Sequence, residues 1–324
     1  MTATQRFASI EAALAAPVLA GGGTVAIPTE TVYGLAADAS NDAAVAKIFE
    51  AKGRPAGHPL IVHVGSAEQV GTWADVSDPR VAALAEQFWP GPLTLILPRE
   101  DRVSSLVVGD RLTVGVRVPD HPVARAVLDA FAEIGSGGVA APSANRYGHV
   151  SPTTTQHVLD DLDGRIDAVV DGGPTDVGVE STIVELVGPE AKLLRPGGVS
   201  RMAIEQVLGA ELVDDRTGPS RAAGMMASHY TPRAEVVVVA LDELAAAING
   251  AHGVAVIGPV DRASLGDAIE FWLPADSLGF AQGLYGALRA ADESGVDRIL
   301  VVPPSTGPLV EAVIDRLSKA AAPR

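Results

Sequence analysis

Cysteine is absent from this chain of 324 residues. Disulfides, thiolate nucleophiles and cysteine-based zinc or iron–sulfur sites are therefore excluded, and we expect a cytoplasmic location. No stretch approaches the ~20 consecutive apolar residues of a membrane span. The P-loop pattern and the nucleophile elbow of serine hydrolases are also missing. Any nucleotide site must therefore be built from scattered side chains and loops.

Positive charge is scarce as well. The chain has 24 lysine and arginine residues against 40 acidic ones, which gives a formal net charge of −16. Such a surface repels phosphates, so we expect no direct, stable binding of nucleic acid, although a local basic pocket remains compatible with it. Hydrophobic residues make up 47% of the sequence, which is typical of a well-packed globular protein.

The chain is long enough for about two domains. Residues 1–208 alternate helix and strand patterns, residues 209–234 have no lasting periodicity and form a predicted linker or lid, and residues 235–324 restart a regular pattern. Apolar spacing at Phe7, Ile10, Leu14 and Val18 predicts an amphipathic first helix. The fold class is α/β, with a smaller and mostly parallel α/β domain at the carboxyl end.

Strands and helices follow from apolar runs and capping residues. The predicted strands are Thr24–Pro28, Leu60–Val64, Leu93–Leu97, Thr113–Val118, Val139–Ala141, Ala168–Val170, Ser181–Val187, Ala191–Leu194, Val236–Ala240, Val254–Ile257, Ala268–Trp272 and Arg298–Val302. The predicted helices are one capped by Asn41 and stopped by Gly53, then His121–Phe131, Thr153–Leu162 and one from Ser200 to Leu208.

Cationic residues stand at the ends of these elements, beside Gly, Pro or Asn. They are Lys52, Arg54, Arg117, Arg146 and Arg195. Arg suits phosphate and carboxylate oxygens by bidentate pairing, and Lys does so as a point charge. Each of these residues, taken alone, is more typical of a solvated surface cation. Five such positions in unusual local motifs favour an anion-binding site.

Hydroxyl, acidic and histidine residues occupy similar positions. The hydroxyls are Thr31, Thr113, Ser143, Ser151, Ser181 and Thr182, and each alone is typical of a cap or turn. Glu30 and Glu180 are suited either to capping the backbone or to placing Mg²⁺ on substrate phosphates. His58 and His63 lack the accompanying ligands of a zinc site. His58 is suited to phosphate, and His63 either to substrate contact or to a purely structural role.

Six motifs in order resemble the YrdC-like family. They are Pro28-Thr-Glu-Thr-Val-Tyr-Gly-Leu, Lys52-Gly-Arg-Pro with His58-Pro-Leu, Val116-Arg-Val-Pro-Asp-His-Pro, Ala141-Pro-Ser-Ala-Asn, Val179-Glu-Ser-Thr-Ile-Val and Leu194-Arg-Pro-Gly. The match covers Thr24 to about Gly198. The later His229-Tyr-Thr-Pro segment and the trailing domain look like the long branch of the family, the threonylcarbamoyl-AMP synthases. That resemblance implies a twisted open mixed sheet with flanking helices, plus a Rossmann-like second domain.

The resemblance also implies an activity. L-Threonine, bicarbonate or CO2, and ATP with Mg²⁺ would give threonylcarbamoyl-AMP and pyrophosphate, for a downstream protein that transfers the product to tRNA. Carried onto this sequence, the threonine-binding residues are Thr31, His63, Arg117, Ala141 and Ser181. The ATP-binding residues are Arg54, His58, Thr113, Ser143, Ser151, Arg195 and Tyr230. Lys52 and Arg54 are the catalytic residues, no side chain is assigned to a metal, and Asn145 shares a motif with Ser143.

Two alternatives accompany this reading. One is a carbamoyl-transfer module of the same domain type, which elsewhere comes with cysteine-rich metal motifs. The other is an RNA-binding module without catalysis, which the net charge of −16 disfavours. A further expectation is that residues 209–233 fold over the site as a lid, with Tyr230 reaching the nucleotide, to keep water from a hydrolysable anhydride.

Overall fold

The computed structural model describes residues 3–55, 57–216, 230–249 and 252–322. Its contacts divide the chain into two compact units. The N-terminal unit holds residues up to 147, residues 152–176 and the segment that starts at residue 180; the C-terminal unit holds residues 148–151, 177–179 and the described residues from 230 onward. None of the described helices is long and apolar enough to span a bilayer.

The N-terminal unit alternates strands and helices. Its strands are β1 (Gln5–Phe7), β2 (Val25–Ile27), β3 (Gly34–Asp38), β4 (Ile61–Val64), β5 (Leu93–Pro98), β6 (Thr113–Arg117), β7 (Gly138–Ala140), β8 (Ala168–Val170), β9 (Thr182–Glu185), β10 (Lys192–Arg195) and β11 (Val213–Asp214). Its helices are α1 (Ala16–Ala20), α2 (Asp42–Lys52), α3 (Pro79–Phe88), α4 (Ser105–Val108), α5 (Pro122–Ile134), α6 (Thr155–Leu162) and α7 (Arg201–Leu208), with 3-10 turns at Ser9–Ala15 and Ala67–Thr72.

These strands form one mixed sheet of eleven strands among the described residues, in the order β1-β8-β2-β3-β7-β4-β6-β5-β9-β10-β11. β4 pairs with β6 in parallel and with β7 in antiparallel orientation. Along β3, Leu35 and Ala37 join one hydrophobic cluster while Ala36 joins another. This alternation shows that both faces of the sheet are covered, by α2 and α3 on one face and by α1 and α5 on the other.

Capping residues fix the ends of the helices that carry site residues. The Asn41 side chain accepts hydrogen bonds from the amides of Ala43 and Ala44, and Gly53 follows α2 in the left-handed region at φ +61°. The helix therefore stops at Lys52, as the sequence predicts. Ser200 caps α7 in the same way, through the amide of Ala203.

The prediction of an amphipathic first helix is wrong at the N-terminal end of that helix. Phe7 lies in β1, in parallel register with Val170 of β8, rather than on a helix. Ile10 and Leu14 are 94% and 56% exposed, so they are not part of a buried face. β3 is an additional strand that the sequence patterns did not predict. His63 lies inside β4, within the predicted strand Leu60–Val64.

The C-terminal unit is a second, smaller α/β unit with its own sheet. Its strands β12 (Glu235–Val238), β13 (Val254–Gly258), β14 (Ile269–Trp272) and β15 (Arg298–Val301) are all parallel, in the order β12-β15-β13-β14. Its helices are α8 (Leu244–Ile248), α9 (Ser277–Glu293) and α10 (Val310–Ala320), with a 3-10 turn at Arg262–Ser264. The predicted parallel α/β arrangement of this region is confirmed.

Candidate active site

The loop between β2 and β3 fixes Thr31 in a buried position. Thr29 Oγ1 accepts hydrogen bonds from the amides of Thr31 and Val32, both at 3.2 Å, and donates to the Val32 carbonyl at 2.7 Å. It also lies 2.8 Å from Thr31 Oγ1. A hydroxyl that bonds the following backbone in this way stabilises a tight turn. Thr31 is completely buried as a result.

Arg117 joins this loop to the end of β6. Its Nη1 donates to Thr31 Oγ1 at 3.0 Å, and its Nε donates to the carbonyl of Gly91 at 3.2 Å. Nη2 lies 2.7 Å from Glu30 Oε1 in a buried ion pair. Two of the predicted threonine-binding residues, Thr31 and Arg117, are thus in direct contact, and Glu30 lies beside them.

His63 is next to Arg117 in the sheet. The two residues pair in register between β4 and β6, and the imidazole is 4% exposed. Burial first, then the charge of Arg117, lowers the pKa of His63 to about 3, so the ring is neutral at physiological pH. A neutral ring with Nδ1 3.2 Å from the Ile61 carbonyl donates through Nδ1, which leaves Nε2 as an acceptor.

Ala141 follows β7 at the same part of the sheet. Its amide donates to the carbonyl of Ile61 at 3.0 Å. A Cβ at Gly34 would lie 3.3 Å from the Ala141 methyl, so the two chains approach closely at this point. Ala141 is therefore held beside β4, within the sheet region that carries His63.

Ser181 and Arg195 form a second hydroxyl–guanidinium pair. Arg195 donates to the Ser181 carbonyl through Nε and Nη2, at 3.1 and 2.8 Å, and to Ser181 Oγ through Nη2 at 3.1 Å. Ser181 Oγ also lies 2.8 Å from Thr94 Oγ1 of β5. A Cβ at Gly197 would come within 2.4 Å of the backbone at Ser181, so the Leu-Arg-Pro-Gly motif needs glycine there.

Lys52 anchors the loop that carries Ser143. Its Nζ donates to the carbonyls of Ser143 and Asn145, at 2.5 and 2.6 Å. Burial, and then the neighbouring charge of Arg54, holds the pKa of Lys52 well below its usual value. In this structure Lys52 is bound to backbone, so it positions the Ala-Pro-Ser-Ala-Asn segment. Whether it also contacts substrate stays a prediction.

Arg54, His58 and Tyr147 form a more open group. Arg54 Nη2 donates to the Pro59 carbonyl at 3.3 Å, and its guanidinium carbon lies 5.8 Å from the centre of the Tyr147 ring. Tyr147 meets His58 edge to face, with ring centres 5.8 Å apart. Burial, then the charges of Arg54 and Arg111, lowers the pKa of His58. The structure thus brings together two predicted ATP-binding residues around a tyrosine.

Thr113 lies at the opposite end of β6 from Arg117. Four residue steps separate them, which is about 13 Å along a strand. Arg111, just before β6, donates to the carbonyl of Gly57, the neighbour of His58. Thr113 is therefore on the side of Arg54 and His58, away from Arg117 and the other residues predicted to bind threonine.

Ser151 and Tyr230 belong to the C-terminal unit. Ser151 is fully buried. Tyr230 is 1% exposed, has a positive φ of 63°, and stacks on Tyr285 of α9 with ring centres 5.5 Å apart. The guanidinium carbon of Arg316 lies 5.5 Å from its ring centre. The predicted lid falls largely on residues 217–229, outside the described residues, so its closure and the nucleotide contact of Tyr230 stay predictions.

Acidic side chains do not gather into a metal centre in the part of the chain that the structure describes. No group of three His, Cys, Asp or Glu residues there is placed to hold a metal ion. The site instead offers cations, hydroxyls and backbone groups, which are ligands for anions.

Two polar residues of the site were not predicted. Thr94 contacts Ser181, and Tyr147 lies between Arg54 and His58. Thr94 is a polar residue in the otherwise apolar strand β5, and Tyr147 follows the Pro-Ser-Ala-Asn motif by two positions. Both signals are visible in the sequence, but neither one alone points to a site.

Comparisons with known proteins show which family the chain belongs to. A family model described as "Telomere recombination" matches residues 17–197, and one described as "Threonylcarbamoyl-AMP synthase, C-terminal domain" matches residues 199–322. The threonylcarbamoyl-AMP synthase of Pyrococcus abyssi is 41% identical over 95% of this chain and 93% of its own length. The threonylcarbamoyl-AMP synthase of Bacillus subtilis is 41% identical over 96% of this chain and 93% of its own length.

A solved structure resembles both units. The crystal structure of P. abyssi Sua5 complexed with L-threonine is 38% identical, with a TM-score of 0.90 over 99% of this chain and 98% of that one. Similarity at this level, over both units and both family models, shows common family membership. This chain therefore belongs to the two-domain threonylcarbamoyl-AMP synthase family.

Proposed function

We propose that this chain is a nucleotidyltransferase that makes threonylcarbamoyl-AMP from L-threonine, bicarbonate and ATP, with release of pyrophosphate, for threonylcarbamoyladenosine modification of tRNA. The observation that carries the proposal is the pair of buried arginines, Arg117 and Arg195, each bonded to a hydroxyl residue. The names of the P. abyssi and B. subtilis relatives and the threonine-bound Sua5 structure support it.

The residues around Arg117 would hold the amino acid. Arg117 Nη2 is ion-paired with Glu30 Oε1 at 2.7 Å but makes no hydrogen bond of good geometry within the described residues, and we propose that its N–H groups turn to the substrate carboxylate. His63 Nε2 is an acceptor, which suits the threonine hydroxyl as donor. Ala141 provides a small apolar wall for the methyl group. A buried hydrogen bond to the hydroxyl favours threonine over valine because its loss costs about 1–3 kcal/mol.

The residues around Arg54 would hold the nucleotide. Arg54 and His58 supply donors for phosphate oxygens, and Thr113 and Ser143 supply hydroxyls. We propose the same role for Arg195, Ser151 and Tyr230. The Lys52 contacts with the carbonyls of residues 143 and 145 keep the Ser143 loop in place. Preorganised donors of this kind stabilise charge that develops on a transferring phosphate.

The chemistry needs no protein nucleophile. Threonine as its ammonium form and bicarbonate give the carbamate, water and one proton. A carbamate oxygen then bonds to the α-phosphorus of ATP, the bond from that phosphorus to the bridging oxygen breaks, and pyrophosphate leaves. Positioning and neutralisation of negative charge carry the rate in such a reaction. A site of cations and hydroxyls provides both.

Mg²⁺ would enter with ATP. Magnesium usually keeps several waters and binds substrate phosphates through one or two protein carboxylates at most. The described residues, which contain no cluster of three metal ligands, fit a metal held mainly by phosphate and water. Bound in that way, the ion would neutralise charge on the leaving pyrophosphate.

The product must pass to a second protein, because threonylcarbamoyl-AMP is a mixed anhydride that water hydrolyses. We propose a downstream transfer protein that acts on tRNA in the cytoplasm. The net charge of −16 disfavours stable tRNA binding by this chain itself.

Pyrophosphate release tests the function. The purified chain with ATP and Mg²⁺ should release pyrophosphate only when both L-threonine and bicarbonate are present, and mass spectrometry should detect threonylcarbamoyl-AMP. L-Valine in place of L-threonine should lower kcat/KM by about 10-fold or more, as expected for one lost buried hydrogen bond. Release of pyrophosphate without threonine, or retention of RNA without turnover, would contradict the proposal.

A further inference from the structure

Glu30 is a buried carboxylate with an incomplete set of partners. It is 5% exposed, and the Nη2 atom of Arg117 lies 2.7 Å from its Oε1. The N–H groups of that nitrogen are not aligned with the oxygen, and neither Glu30 oxygen accepts a hydrogen bond from the described residues. Buried ionised carboxylates are normally hydrogen-bonded because desolvation is costly. Glu30 therefore has acceptor capacity that the protein leaves unused.

Thr31 beside it is held by two polar contacts. Its Oγ1 lies 2.8 Å from Thr29 Oγ1, where either hydroxyl can be the donor, and it accepts a hydrogen bond from Arg117 Nη1. The two Glu30 oxygens, which accept no hydrogen bond from the described residues, favour a ligand that donates several hydrogen bonds.

Among the described residues, Glu30 forms an ion pair with Arg117 and with no second cation. A titratable residue that interacts electrostatically with Glu30 is His121, whose Nδ1 accepts from the amide of Val123 at 3.2 Å and caps α5. Burial lowers the pKa of His121, against the opposing charges of Glu30, Asp176 and Asp120. The imidazole is therefore neutral at physiological pH, and in the described part of the chain the positive charge paired with the carboxylate is that of Arg117.

We propose that Glu30 binds the α-ammonium group of the amino-acid substrate, so that the Arg117–Glu30 pair recognises a zwitterion. Arg117 would take the carboxylate while Glu30 accepts from the ammonium. This inference rests on the proposed function and adds a specificity residue to it. It also positions the nitrogen, which must lose a proton to water before its lone pair can form the carbamate.

A divalent metal is the competing ligand for Glu30. The guanidinium 2.7 Å from Oε1 opposes a doubly charged ion at the same oxygen, and within the described ranges no cluster of three metal-ligating residues includes Glu30. An ammonium group carries a single charge and three N–H donors. It therefore suits the two unsatisfied Glu30 oxygens beside a guanidinium better than a divalent metal ion does. The metal remains an outcome that the experiment can detect.

Calorimetric binding of three ligands tests the inference. L-Threonine has both charged groups, 3-hydroxybutyrate lacks the amine, and L-threonine methyl ester lacks the carboxylate. Glu30→Gln should weaken L-threonine and its ester by about 10-fold or more, as expected for a lost charge-assisted hydrogen bond. It should change 3-hydroxybutyrate by less than about twofold, because that ligand never meets Glu30.

Glu185→Gln is the matched control. Glu185 is also a buried carboxylate of the same sheet, with Lys192 as its ion-pair partner at 3.9 Å. The Glu185→Gln variant should leave the affinity for L-threonine unchanged within about twofold, since the residues around Arg117 are not altered. ATP binding by Glu30→Gln should also remain, which separates a local effect from a loss of folding. If Glu30→Gln does not fold, Glu30→Asp should show an intermediate loss for L-threonine and its ester but none for 3-hydroxybutyrate.

Three results would overturn the inference. Equal losses for L-threonine and 3-hydroxybutyrate would mean a purely structural role, and unchanged L-threonine affinity would mean no role in binding. Unchanged L-threonine affinity together with a lost Mg²⁺ dependence of ATP binding would assign Glu30 to the metal. A wild-type chain that does not bind L-threonine would instead contradict the proposed function, so the two failures can be told apart.

Discussion

The side chains at the two ends of β4 and β6 differ in how deeply they are buried and in how short their contacts are. At the Arg117 end, Thr31, His63 and Arg117 are each at most 4% exposed and are joined by hydrogen bonds or strand register. At the other end, His58 and Tyr147 are only half-buried, and the contact between Tyr147 Oη and His58 Nδ1 is 3.5 Å long. The Arg117 end is buried throughout, whereas the other end combines the buried Arg54 with the half-buried His58 and Tyr147.

This difference matches the two proposed ligands. Threonine is small and must be separated from close analogues, which requires buried and fully oriented partners. ATP is large and offers many charged oxygens, so a partly exposed set of cations can hold it through several weaker contacts. Substitutions at the Arg117 end should therefore be costly, and substitutions of the half-buried His58 and Tyr147 at the other end should be mild.

The largest effect should come from Arg117→Met. The change removes the carboxylate partner and leaves Glu30 buried without its ion pair, so the free energy of unfolding should fall by about 3–5 kcal/mol. L-Threonine affinity should fall by about 100-fold or more, as expected for a lost bidentate charged contact. Urea denaturation and calorimetry measure the two losses.

A double variant separates these two losses. Arg117→Met combined with Glu30→Gln should recover most of the stability, because no uncompensated charge remains, while threonine binding stays lost. If Arg117→Met alone costs less than about 1 kcal/mol, the ion pair is weakly held and the contrast between the two ends is wrong.

Lys52→Met should have the next largest effect. The variant leaves the buried carbonyls of Ser143 and Asn145 without their donor, at about 1–3 kcal/mol for each unsatisfied group. The free energy of unfolding should fall by a few kcal/mol, and the KM for ATP should rise more than the KM for threonine, because the Ser143 loop moves. A rise confined to the threonine KM would show that this loop serves the Arg117 end instead.

Local signals in the sequence predict much of this architecture. The Asn41 cap and Gly53 give the end of α2, and with it the place of Lys52. Apolar runs give the strands that carry His63 and Arg117, and the motif resemblance groups Thr31 with Arg117 before any contact is seen. These features depend on residues close together in the chain, where capping and periodicity act.

Long-range pairing could not be predicted in the same way. Phe7 satisfies a helical spacing with Ile10 and Leu14, but its hydrogen-bonding partner is β8, more than 150 residues away. The Glu30–Arg117 ion pair and the place of Tyr147 likewise depend on how the sheet assembles. Residues 148–151 and 177–179 lie within the first predicted domain yet cluster with the C-terminal unit. No local pattern marks such contacts.

A smaller effect should appear in the pH dependence of stability. His63 has a pKa of about 3 in the folded chain and about 6.5 when unfolded. Between these values the unfolded state binds more protons, so stability falls as the pH drops, by about 1.4 kcal/mol per pH unit from this residue. Urea denaturation from pH 7 to pH 4 should show a shallower slope for His63→Gln than for the wild type.

His58→Gln is the control for that slope. His58 is half-buried and its pKa is lowered as well, by burial and by the charges of Arg54 and Arg111. Solvent at the open end screens this group, so His58→Gln should change the slope less than His63→Gln. Equal changes in the two variants would contradict the difference in burial between the two ends.

The smallest effects should come from Tyr147. Tyr147→Phe removes the long contact to His58, so stability should stay within about 0.5 kcal/mol and the KM for ATP within about twofold. Tyr147→Ala also removes the ring beside Arg54, 5.8 Å from its guanidinium carbon. A cation–π contact at an exposed site contributes about 0.5–1 kcal/mol, so the KM for ATP should rise about threefold and the KM for threonine should not change. Steady-state kinetics with each substrate varied in turn measures both values. A large loss of stability or a large rise in the KM for ATP in Tyr147→Phe would mean that the hydroxyl, not the ring, holds Arg54 and His58 in place. The proposed nucleotide side would then depend on specific hydrogen bonds as much as the proposed threonine side does.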